Sequence, residues 1–119
     1  METNETNLTT DYSSLLANLH LLAADFEGLK TYLAGYTEEG IYSECIEGIR
    51  DSMEDFPLIV RSGKLPLPVI AQIIDFYYLM ECLVRSSSTG NVEAFKNSAD
   101  WQKAKALAKL AADALDRLS

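Results

Sequence analysis

The sequence predicts an all-α chain folded as an up-down-up-down four-helix bundle, and three observations predict it. Apolar residues recur every three or four positions over long stretches. The glycines Gly35, Gly63 and Gly90 and the prolines Pro66 and Pro68 fall between those stretches, and β-branched runs are short and rare. At 119 residues and 48% hydrophobic composition, one domain can close its own core without metal or disulfide. Residues 11–119 are read as that domain and residues 1–10 as a disordered polar tail. The tail has neither a basic start nor an apolar run, so no secretory leader is expected, and its Asn4-Glu5-Thr6 and Asn7-Leu8-Thr9 triplets are read as solvated chain.

The spacing predicts a first helix over 11–34, capped by Thr10 or Asp11 and closed by Gly35, with Leu15, Leu19, Leu22, Phe26, Leu29 and Leu33 as its inner stripe. Each such side chain contributes about 1.5–3 kcal/mol when fully buried, so the stripe must face a core. Thr37 is a good N-cap for the second helix, followed by Glu38 and Glu39 at the positive end of the helix dipole. Ile41, Tyr42, Cys45, Ile46, Ile49, Met53 and Phe56 supply its inner stripe. Pro57 removes an amide donor and clashes with the preceding turn, which predicts a kink or a fresh turn through Val60, stopping near Gly63.

Residues 63–68 form a connector, with Pro68 in the first turn of a third helix that runs to about Ser86. Val69, Ile73, Phe76, Tyr77, Met80, Leu83 and Val84 are its core face, and Gln72, Asp75, Tyr78, Glu81 and Arg85 gather opposite. After a polar loop at 86–90, a short helix is expected at 91–97, and Ser98 caps the last helix, about 99–118. There Trp101, Ala104, Ala108, Ala111, Leu115 and Leu118 recur at heptad-like spacing, and the alanines permit close approach of a neighbour. Short joins make sequential helices neighbours.

Charge is unevenly placed. Residues 1–60 hold 12 acids and 2 bases, and residues 61–119 hold 6 acids and 8 bases, for a net −8. Such a surface repels nucleic-acid phosphate and anionic lipid, so neither nucleic acid nor membrane is expected as a partner. Apolar runs are broken by charge before the roughly 20 residues that a membrane span needs. Cys45 and Cys82 are too few for a disulfide framework and too far apart for a local metal knuckle; both are expected as reduced thiols in the cytoplasm, with Cys45 a small hydrophobe on its inner stripe.

Neither a catalytic constellation nor a cofactor or metal motif is legible. His20 is the one histidine, placed at the rim of its helix with Leu16, Ala24 and Glu27 at helical spacing, and no triad partner. A dimetal bundle needs two Glu-x-x-His motifs, and a calcium loop needs alternating acids around a glycine; both are missing. Ser62-Gly63-Lys64 lacks the rest of a P-loop. The chain is therefore expected to be no enzyme.

What stands out is a row of five acids on the second helix. Glu44, Glu47, Asp51, Glu54 and Asp55 fall within an arc of about 100°, pointing away from the inner stripe. Like charges at this spacing repel by roughly 1–2 kcal/mol in total, before screening and before any offset from Arg50. That is tolerable for a solvated face and favourable for meeting a basic protein or peptide, as an adaptor, inhibitor or chaperone does. The alternative expectation is a homodimer through an apolar edge of the first helix, Leu21 and Tyr32, with Tyr36 or Tyr78 nearby. Lys96, Lys103, Lys105 and Lys109 crowd the start of the last helix; the flanking ones are expected to reach acids of an adjacent helix, and Lys105 and Lys109 to point outward.

Overall fold

A computed structural model describes the backbone of residues 2–118 and the side chains of residues 12–118. The described residues are helical or in short joins, with no strand among them: α1 (Glu2–Ala23), α2 (Phe26–Tyr32), α3 (Glu38–Glu54), α4 (Phe56–Arg61), α5 (Leu67–Arg85), α6 (Val92–Asn97) and α7 (Ala99–Leu118). The bounds of α1 take in the stretch that the sequence leaves as a polar tail. Capping by Thr10 or Asp11 lies outside the described side chains.

Most helix ends follow local chemistry. Thr37 accepts a hydrogen bond from the Gly40 amide at 3.0 Å, Asn91 from Ala94 at 2.8 Å and Ser98 from Trp101 at 3.1 Å, each satisfying an amide that the first turn leaves free. Pro57 and Pro68 sit in the first turns of α4 and α5, where the missing donor does no harm. Gly35 and Gly63 close their turns at φ 97° and 75°, the left-handed region expected at helix ends.

The first helix departs from expectation. It breaks at Ala24, and Asp25 opens α2 by accepting from the Gly28 amide at 2.7 Å. Because the apolar period runs on unbroken through Leu22, Phe26 and Leu29, all buried, spacing alone gives no sign of the break.

α1 packs against α3 and α7, and α7 in turn against α5, so α7 is covered on two sides. Ala104, Ala108, Ala111 and Ala112 are fully buried in α7, and their small side chains let both neighbours come close. Leu15, Leu19, Leu22, Ile49, Ile73 and Met80 fill the space between them without exposure. Tyr42, Phe95, Trp101 and Phe26 close one part of this core with ring centroids 5.0–6.2 Å apart, edge-to-face except for the tilted Tyr42–Phe95 pair. The Trp101 indole donates to the Thr89 carbonyl at 2.8 Å and holds down the loop after α5. That loop folds so tightly that a Cβ on Gly90 would collide with the Val84 carbonyl oxygen.

Candidate functional site

Three features have chemistry to offer: the outer face of α3, the outer face of α5, and a buried lysine of α7. On α3, Glu44, Glu47, Asp51, Glu54 and Asp55 are all exposed, while Ile41, Cys45, Ile46 and Ile49 of the same helix are buried. The helix thus divides its circumference as the spacing predicts. Among the described residues Glu47 is the one member of the row with an ion-pair partner, Arg50 at 3.5 Å. Arg50 is chiefly engaged elsewhere. Its Nε and Nη2 donate to the two carboxylate oxygens of Glu81 on α5, at 2.8 and 2.9 Å, a forked pair that ties α3 to α5. The hydrogen bond to Glu81 drives the Arg50 pKa upward, and the same bond holds the Glu81 carboxyl below its usual range. Lys96 reaches Glu38 in the first turn of α3 at 3.2 Å, as expected of a flanking lysine.

Lys105 corrects the sequence reading. It is buried rather than outward, with 6% of its surface exposed. Its Nζ donates to the carbonyls of Leu22 at 3.0 Å and Ala24 at 2.9 Å, and lies 4.1 Å from the centre of the Phe95 ring. Those carbonyls belong to the end of α1, where helical oxygens lack partners and carry partial negative charge. The lysine therefore secures the break between α1 and α2. Burial pushes its pKa down to about 8, against smaller upward pulls from Cys45 and Asp25. A signal for this existed in the sequence: Trp101, Lys105, Ala108 and Ala112 follow one another at four, three and four residues, which places Lys105 on the buried stripe. Cys45 is buried as expected and its thiol is pushed up to about 11 by desolvation; Cys82 is exposed.

His20 sits at the rim as expected and meets Asp116 of α7 at 2.8 Å, with both side chains about half exposed. It also borders an open apolar cleft of about 390 Å³ formed where α1 breaks into α2. Leu21 and Tyr32, the residues of the proposed self-association edge, line this cleft together. Tyr36 and Tyr78 are not among its lining residues. Tyr78 projects from α5, 71% exposed, beside Ile74 and Cys82.

The outer face of α5 is the feature that sequence reasoning undervalues. α5 has the length and apolarity of a membrane span, with a mean hydropathy of 1.5 over its most apolar window, yet only 33% of that window is buried. Ile74 opens onto that face as well, half exposed beside the polar residues and Tyr78 that the spacing places there. No grouping of three or more histidine, cysteine or acidic side chains suited to a metal ion occurs among the described residues. No protein-family model, curated protein or solved structure matches the chain.

Proposed function

We propose that this chain is a non-enzymatic cytosolic protein that captures a basic protein or peptide on the acidic face of α3, in the manner of an adaptor, inhibitor or chaperone, using its four long helices as an up-down-up-down bundle. One observation carries the reading. Glu44, Asp51, Glu54 and Asp55 are exposed and have no ion-pair partner among the described residues, while the cation nearest in sequence, Arg50, is committed to Glu81 and Glu47. Lysine or arginine side chains of a partner would relieve the mutual repulsion of the row, steer the encounter and fix its register. Binding of this kind weakens as salt rises, because exposed charges are screened over about 8–10 Å.

Charge reversal tests it on residues that hold nothing else in place. Asp51→Lys with Glu54→Lys is expected to weaken binding of a fluorescent lysine- and arginine-rich peptide about tenfold or more at low salt, a loss of roughly 1.4 kcal/mol or more. The same charge change at Glu93 and Asp100, off the row, is expected to leave binding within about twofold. Equal loss from both pairs, or no loss from the first, overturns the reading.

A further inference from the structure

We propose that the outer face of α5 is an interface for a second copy of this chain, the two α5 helices lying antiparallel about a two-fold axis level with residue 80. The face consists of Ile74, Asp75, Tyr78, Cys82 and Arg85, all exposed, at the spacing of one helical stripe. Its apolar members are unusual for open water: Ile74 is 50% and Tyr78 71% exposed, on a helix with only a third of its most apolar stretch buried.

The charges on the stripe select the occupant and the register. Asp75 and Arg85 stand ten residues apart, about 15 Å along the helix. In an antiparallel pair centred on residue 80, Asp75 of one copy lies level with Arg85 of the other, and the symmetry makes that pairing twice. Tyr78 then faces the partner's Cys82, and the methylenes of Arg85 cover the partner's Ile74. Centring the pair near residue 75 instead carries Arg85 past the start of the partner's α5, with no carboxylate of that stripe level with it, and leaves Asp75 against Ile74, so charge disfavours it. Glu81, next to the stripe, is already neutralised by Arg50 of its own chain and adds no like-charge repulsion. Asp75 has no ion pair among the described residues, and Arg85 has only a 3.8 Å contact to Glu81, so both are available. A stripe of three to four turns lies at the small end of interface sizes, which makes the dimer concentration-dependent. None of the α3 acids takes part, so this interface stands or falls separately from capture of a basic partner.

The test is solution mass of the full chain across a concentration series, combined with charge exchange. The wild-type chain is expected to pass from monomer to dimer. Asp75→Arg alone and Arg85→Asp alone are each expected to weaken dimerisation about tenfold or more, by setting like charges face to face twice per dimer. The double variant D75R/R85D is expected to return it to within about threefold of wild type, with helicity by circular dichroism confirming that each variant is folded. A short bismaleimide is expected to link the wild-type dimer through Cys82, while Cys45, buried in the core, stays unmodified. A monomer at every concentration overturns the proposal, as does a double variant no better than the singles. So does a monomer that sediments with zwitterionic phosphatidylcholine vesicles, since a bilayer would then be what covers the face.

Discussion

Arg50 and Lys105 both reach out of one helix to fasten another, and the contrast between them is instructive. Arg50 is partly open to water and grips a carboxylate with two parallel hydrogen bonds, so its charge is matched by a formal countercharge and its pKa rises. Lys105 is buried with no carboxylate in ion-pair reach among the described residues; two carbonyl oxygens and an aromatic face stand in for one, and its pKa falls. Dipoles and a ring face are able to hold a buried ammonium in place, but they repay its lost hydration only in part. The α3–α5 join is thus an ordinary ion pair, whereas the α1–α7 join stores an electrostatic penalty.

The sharpest way to break this contrast is to remove the lysine. Lys105→Ala is expected to lower stability by about 3 kcal/mol, because it opens a cavity and strands the Leu22 and Ala24 carbonyls in the core. Lys105→Met, which keeps the volume and discards the charge, is expected to lose about half as much or less. Denaturant titration of the three proteins measures both. A Met variant as weak as the Ala variant would mean that the hydrogen bonds, and not the packing of the stem, hold this join.

A smaller loss is expected on the other side of the comparison. Glu81→Gln leaves Arg50 with only the longer contact to Glu47, but that side chain is exposed enough to regain water, so the change is expected to cost about 1–2 kcal/mol. The same titration checks it, and a loss larger than that of Lys105→Ala would reverse the ranking of the two joins.

The smallest effect is the most diagnostic, because its sign is set by the stored penalty. Lys105 has a folded pKa of about 8 against an ordinary 10.5, so the unfolded chain binds more protons between those values and stability rises with pH there. Cys45 works the other way between its ordinary 9.0 and its folded 11, where the folded chain keeps the proton longer and stability falls. The net expectation is a gain of about 1 kcal/mol from pH 8 to 9 and little change above it. Lys105→Met is expected to abolish the rising limb, and urea midpoints read at each pH decide the matter.

The parts of this molecule that were legible in the sequence are those decided locally. Thr37, Asn91 and Ser98 announce helix starts through their own side chains, and Pro57 and Pro68 fix first turns through a missing donor. The acid row was legible as an exposed face because α3 has a single clean apolar stripe. What escaped is what three-dimensional neighbours decide. The break at Ala24 was masked by an apolar period that continues across it, and it persists because a lysine more than eighty residues away satisfies the carbonyls that it frees. Lys105 carries a charge and yet occupies a position of the buried stripe, because the carbonyls that receive it come from another helix. Arg50 lies within reach of the acid row, whereas its principal partner is on α5.

Trp101 gives this chain a built-in optical probe. It is the single tryptophan, fully buried against Phe95 and Tyr42, with its ring nitrogen bound to the loop after α5. Its emission therefore follows the aromatic end of the core, whereas the far-ultraviolet signal follows helix content throughout the chain. Loosening confined to that end would shift the emission to longer wavelength before the helices melt. Coincidence of the two transitions would mark the whole molecule as a single cooperative unit.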